Sequence, residues 1–211
     1  MAATLTADAA AEPRPALAGP VPPPIETRPR VLLVGTAFGA AATVMVFAGL
    51  LGVYLTDRVS AVAGGGKWIP AGVTMPLTQP NMMLLTLIMS VVTVQWAVVA
   101  IKNDDRTNTY LALGVSLILG FAFIVEMGYL YSIMKWTLIV APAQATLVYV
   151  ITGAHLAMLI GSMIFVILMG FRALAGQFTS RQHDGIAAAA LYWHVMVAVY
   201  AIIWFAIFVT K

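Results

Sequence analysis

PNMMLLTLIMSVVTVQWAVVAI, residues 80–101, contains 22 residues and no charged side chain. Wound as an α-helix it reaches about 33 Å, enough to cross the roughly 30 Å of bilayer hydrocarbon. It shows none of the polar–apolar alternation of a barrel strand. Backbone groups in lipid must be satisfied internally, so such a run is a helix. Four further runs have spanning length: about residues 31–56, 110–134, 143–171 and 187–209. The composition agrees: 62% of residues are hydrophobic, 9% are charged and the mean hydropathy is +0.96. A soluble domain carries roughly 25% charge, so this chain could not cover itself with polar groups. The reading is an all-α integral membrane protein with five transmembrane helices.

Outside the spans the pattern changes. Residues 1–30, MAATLTADAAAEPRPALAGPVPPPIETRPR, are rich in Ala and Pro and lack the apolar core of a secretory signal. They predict a flexible tail, leaving 31–211 as the membrane domain. The longest loop, 57–79, holds AGGGKWIPAG, where a Gly triplet, Trp68 and Pro70 predict an ordered turn at the interface. Arg14, Arg28, Arg30, Lys102, Arg106, Arg172 and Arg181 fall on one side of the membrane; Arg58, Lys67, Lys135 and Lys211 fall on the other. Seven against four puts the N-terminus in the cytoplasm and the C-terminus outside.

Several function classes fall away on residue types. The chain has no cysteine, which excludes disulfides, thiolate metal sites and iron–sulfur clusters. The net charge of +3 comes from loops, and no basic run long enough to track nucleic acid exists. The ionisable residues deep in spans are Glu126, in FAFIVEMGYLY (121–131), His155 and His194. Glu126 and His155 both lie ~24 Å from the cytoplasmic ends of their helices, so the two are expected to meet as a buried pair. His194 lies only ~10 Å from that end. The two histidines therefore differ by roughly 13 Å in depth, too much for one bis-histidine haem. His183, in QFTSRQHDG, reads as a solvated loop residue. Glu126 reads first as a structural carboxyl, neutral or hydrogen-bonded; a proton relay needs a second titratable group along a path, and contact with a partner is the third option. Gly35, Gly39, Ala41 and Ala42, and Gly153, Ala157 and Gly161, carry small-residue spacing, expected to serve packing within the chain. Trp193 and Tyr192 suggest an aromatic belt.

MVFAGLLGVYLTDR (45–58), GGKWIP (65–70), YVITGAHLAMLIGSMIFV (149–166) and LYWHVMVAVYAIIWF (191–205) together resemble cytochrome c oxidase subunit III. The likeness covers about residues 31–209, in the short five-helix actinobacterial form. It implies a non-catalytic membrane subunit of an aa3-type cytochrome c oxidase, which reduces O2 and pumps protons. It implies oxidase subunits I and II as partners, a bc1-type complex in a supercomplex, bound phospholipid, no nucleic acid, and a bacterial plasma membrane location. It implies no cofactor here, with haem a and copper in the partner subunits. The alternatives are a related component of a quinol oxidase or nitric oxide reductase, and a small channel or transporter. Against the family pattern, Thr43 stands where a glutamate precedes the FAG motif. Met158 replaces the second histidine after His155. Leu130 replaces a glutamate between Tyr129 and Tyr131, and Val197 replaces an aspartate after His194. Trp193 and His194 are kept. Glu126, one turn before the lost carboxylate, is expected to stand in for it.

Overall fold

A computed structural model describes residues 30–134, Trp136 and residues 142–210. The Ala/Pro-rich tail up to residue 29, with Arg14 and Arg28, lies outside the described residues, as do Lys135 and Lys211. Five helices follow one another: α1, Val31–Ala63; α2, Thr78–Lys102; α3, Arg106–Met134; α4, Pro142–Leu174; and α5, Asp184–Ile203, which widens into a π-helical turn at Trp204–Val209. All five are long and apolar enough to cross a membrane.

The helix ends follow local chemistry rather than hydropathy. α1 continues to Ala63, seven residues beyond the apolar run, because a backbone stop comes only at the glycines. Gly65 takes φ +77, Gly66 N–H bonds Ala61 O at 3.0 Å and Gly65 N–H bonds Val62 O at 3.0 Å. This closes the last turn in a Schellman motif. The extra turns place Arg58 against the far end of α5. There its Nη1 donates to Thr210 Oγ1 at 2.6 Å and to the Ala206 carbonyl at 3.5 Å. α3 begins at Arg106 rather than 110 because Asp105 caps it, accepting the Asn108 N–H at 3.0 Å. α5 begins at Asp184, an acid favoured at the positive end of the helix dipole.

α5 is the centre of the bundle. It packs against α1, α2 and α4, while α2 lies along α3 and α3 touches α4. Over half of the residues in its apolar window are buried (56%), against 11% for α1, which therefore stands at the edge. The Trp68 loop is ordered, now shortened to residues 64–77. Trp68 is buried, donates from Nε1 to Tyr54 Oη at 3.2 Å and meets that ring edge-on at 5.4 Å. Thr74 ties the same loop to the end of α3 through the Ile133 carbonyl at 2.9 Å.

Two sequence expectations need correction here. The small residues of α1 do not pack within the chain: Gly35, Gly39, Ala41 and Ala42 are exposed, and a Cβ at either glycine would meet nothing within 4 Å. On α4, Gly161 is exposed and Gly153 half-buried, and a Cβ at either would likewise meet nothing within 4 Å among the described residues, since α5 takes the other face of each helix. Trp193 is no belt residue. It is fully buried, because its indole turns inward to fill the space left by Gly120.

At the other membrane face, the α2–α3 turn is tied to the α4–α5 loop. Asp104 adopts φ 56 at the end of α2, and its Oδ1 accepts the Ser180 N–H at 2.7 Å. The hydrogen bonds from Ser180, with the nearby Arg106 charge, hold its carboxyl below the usual carboxylate range. The sign follows: this tie is complete above the ordinary carboxylate pKa and is lost as pH falls through the lower folded value. Asp104→Ala is expected to speed amide exchange at Ser180, while Asp104→Asn, which keeps an acceptor and tolerates φ > 0, restores most of the protection. Unchanged exchange in the alanine variant would show that the loop is held by something else.

Candidate functional site

The intramembrane polar groups are organised around α2 and around His155. Along α2, four hydroxyl or amide side chains bond across to neighbouring helices, Asn81 at the exposed end and the other three further in. Asn81 Oδ1 accepts Trp204 Nε1–H at 2.7 Å, and Thr86 Oγ1 meets Glu126 Oε1 at 3.1 Å. Ser90 Oγ accepts Trp193 Nε1–H at 2.8 Å, and Thr93 Oγ1 meets Ser116 Oγ at 2.7 Å. The partners alternate between α5 and α3, so this ladder pins α2 to both. Thr86, Ser90 and Thr93 recur at steps of four and three, which keeps them on one helix face. Hydroxyls at that spacing in the uncharged run 80–101 are the signal that sequence reasoning passed over, because attention went to ionisable groups. In lipid such bonds are worth on average about 0.6 kcal/mol each.

His155, fully buried on α4, is the node where four helices meet. Its ring lies 6.2 Å from Phe47 of α1, 5.6 Å from Phe123 of α3 and 5.1 Å from Tyr200 of α5, centroid to centroid. Nε2 sits 3.1 Å from the Met196 carbonyl of α5, which assigns it the N–H; Nδ1 has no hydrogen-bond partner among the described residues.

The expected Glu126–His155 pair does not form. Glu126 uses Oε1 on Thr86, and its Oε2 has no hydrogen-bond partner among the described residues. Glu126 and His155 lie near the same level of the bundle, but the carboxyl points elsewhere. Phe123, one turn from Glu126, does touch His155. Residues three apart on a helix differ by about 60° in direction at 3.6 residues per turn. That offset turns Glu126 towards α2, so it does not stand in for a carboxylate facing α4.

The remaining candidates also find places. His194 is half-buried, on the face of α5 towards Val91. Thr43 is half-exposed, and its hydroxyl bonds the Gly39 carbonyl of its own helix at 2.9 Å. His183 bonds the Ser180 carbonyl in the α4–α5 loop at 2.9 Å. Leu130, Met158 and Val197 are all buried. These three of the four departures from the family pattern are therefore apolar residues packed in the interior, where a carboxylate or imidazole would need its own partner. Among the described residues, no group of three or more His, Asp or Glu is placed to hold a metal ion.

Comparison with known proteins gives a consistent picture. The family model for cytochrome c oxidase subunit III matches residues 30–211. The probable cytochrome c oxidase subunit 3 of Mycobacterium leprae (strain TN) is 31% identical over 184 residues, covering 84% of this chain and 89% of that protein. The probable subunit 3 of Nocardia farcinica (strain IFM 10152) is 28% identical over 185 residues, covering 87% and 88%. Cytochrome c oxidase subunit 3 of Oncorhynchus mykiss is 35% identical over 147 residues, covering 68% of this chain and 56% of its own length.

Proposed function

The chain belongs to the cytochrome c oxidase subunit III family, and from that premise we propose that it is a non-catalytic brace in an aa3-type cytochrome c oxidase. In this reading it stabilises subunit I, orders phospholipid beside it and supports O2 reduction and proton pumping carried out elsewhere. Haem a and copper belong to subunits I and II. It sits in a bacterial plasma membrane with its N-terminus and tail (1–30) in the cytoplasm, its C-terminus outside, and 31–211 as one membrane domain. A bc1-type complex is a further partner in a supercomplex.

One observation carries the reading. Inside the bundle the Glu126, His155 and Trp193 side chains each bond across to another helix, while small residues of α1 and α4 stand open on its flank. Glycine and alanine faces allow close approach of another helix in lipid, so this chain is built to be packed against. Glu126 acts as a structural carboxyl within it: among the described residues its hydrogen bond goes to Thr86, and no hydrogen bond continues from its other oxygen.

Pull-down of the tagged chain from membranes, with absorbance of the eluate, tests the assignment. Two larger membrane subunits and a-type haem are expected. Haem b alone would move the chain to a quinol oxidase or nitric oxide reductase, and no haem-bearing partner would overturn the brace. Glu126→Gln keeps a bond to Thr86, and is expected to change stability by less than about 1 kcal/mol and leave turnover and pumping at wild-type level. A large loss of pumping in an otherwise assembled complex would make Glu126 a proton carrier.

A further inference from the structure

Between α3 and α4, at the end that carries the α2–α3 and α4–α5 loops, runs an open apolar groove of about 290 Å³. Leu113, Gly114 and Leu117 line it from α3, and Val166, Gly170 and Phe171 from α4. The two glycines make it: a Cβ at Gly114 or Gly170 would meet nothing within 4 Å, so the space exists because neither has a side chain. From Tyr110 to Leu117 the groove descends about 10 Å along the helix axis. That path runs from the polar boundary towards mid-membrane, the course of a lipid tail.

The mouth of the groove is basic. Arg106 opens α3, and its Nη1 reaches the turn that ends α4, standing 3.7 Å from where a Cβ of Gly176 would be. Arg172 belongs to that same turn, with its Nε on Gln177 Oε1 at 2.8 Å and its guanidinium 5.4 Å over the Phe178 ring. Tyr110 closes the rim with a bond to the Ala173 carbonyl at 3.0 Å. The carboxylates on this face are engaged elsewhere: Asp104 holds Ser180 N–H, Asp105 holds Asn108 and Asp184 faces Arg30 at 3.8 Å. Asp104 lies near enough to Arg106 to feel its charge, but forms no ion pair with it within 4 Å. Among the described residues Lys102, Arg106, Arg172 and Arg181 therefore keep their charge unmatched by a bonded acid. An apolar slot whose Tyr110 end lies one helical turn from Arg106, and whose Phe171 wall adjoins Arg172, is complementary to one class of molecule. Basic pockets between membrane helices recruit anionic lipid by the same physics.

We propose that this groove holds one acyl chain of an anionic phospholipid, with its phosphate at Arg106 and Arg172. The proposal rests on the lipid-ordering part of the function above and gives it a place and a headgroup charge. A free phosphate is disfavoured, because it would leave the apolar slot empty.

The test uses the complex purified with this chain and reconstituted in phosphatidylcholine nanodiscs. A small fraction of phosphatidylglycerol with a photoreactive acyl chain is added, and crosslinks are mapped by mass spectrometry. Crosslinks to the α3 and α4 groove residues are expected, and phosphatidylcholine bearing the same tail should give roughly tenfold fewer. Arg106→Gln with Arg172→Gln should remove the preference for the anionic lipid. Gly114→Leu, which fills the slot without touching either charge, should abolish the groove crosslinks with assembly intact. Equal labelling by both lipids overturns the proposal, as does labelling unchanged by Gly114→Leu, or a groove crosslinked to a partner helix instead. Anionic-lipid crosslinks confined to other faces would reject this groove while leaving lipid ordering standing; no crosslinks to the chain at all would reject both.

Discussion

Replacing Trp193 with alanine is expected to destabilise the chain by about 3 kcal/mol. In lipid both folded and separated helices lie in hydrocarbon, so the transfer from water that dominates soluble cores contributes little. Packing and hydrogen bonds remain. The Trp193 indole is fully buried, and its Cη2 lies 3.0 Å from where a Cβ of Gly120 would sit. Its removal opens a cavity between α2, α3 and α5, at about 24 cal/mol per Å³ of space left unfilled. The bond to Ser90 adds only about 0.6 kcal/mol. Packing wins, so Trp193→Phe should cost about 1 kcal/mol or less, within the range of a lost hydrogen bond. Gly120→Leu attacks the same contact from the other side: its side chain would run into Trp193 and into Met163 Sδ, 3.1 Å from the added Cβ. Overpacking of this kind costs about 1–3 kcal/mol. In the double variant the leucine enters the space the indole vacates, and the combined loss should fall short of the sum by about 0.5 kcal/mol or more. Retention of the chain in the detergent-purified complex, and the temperature at which it is released, measure this. Strictly additive losses would show that the two residues do not share one space.

Length and hydropathy made the five spans legible, because an uncharged run of 22 residues has few other fates. Helix ends were less so. α1 overran its apolar run because a helix stops where its backbone is capped, here at Gly65, and hydropathy says nothing about caps. The buried face of each helix was harder still. Helices apolar on all sides give no amphipathic stripe to read. Nothing in the run from Gly35 to Ala42 says whether its small face looks at α5 or away from the chain.

The site shows the same division. Depth could be computed from residue counts, and it brought Glu126 within a turn of the residue that touches His155. Direction could not, since a 60° offset sends the carboxyl to Thr86 on another helix. The aromatic enclosure of His155 draws on Phe47, Phe123 and Tyr200, three residues on three helices with no common spacing. Only the packed bundle assembles it. The resemblance singled out His155, Trp193 and His194 as retained positions, of which the fold buries the first two fully and His194 by half. It did not reveal that Trp193 bonds Ser90 or that His155 spends its N–H on Met196.

That enclosure leads to the sharpest contrast between two substitutions at one position. His155→Phe is expected to leave assembly and O2 reduction near wild type, whereas His155→Lys is expected to abolish accumulation of the chain. Phenylalanine matches the flat ring among Phe47, Phe123 and Tyr200 and loses one bond to the Met196 carbonyl. That carbonyl lies inside α5, where the helix provides its other partner, so the loss is about 1 kcal/mol. Lysine brings a charge. An ammonium at the centre of a membrane helix costs about 2.5–3.5 kcal/mol even where it can reach towards the interface. His155 is fully buried between four helices, which closes that route. Attraction to the surrounding rings, up to about 2 kcal/mol, offsets only part of this, and the longer chain must also displace packed aromatics. The readouts are the amount of chain in membranes and the turnover per haem of the purified complex. A fully assembled His155→Phe complex that had lost O2 reduction would give the histidine a chemical task, and the view of this chain as a brace would fail with it.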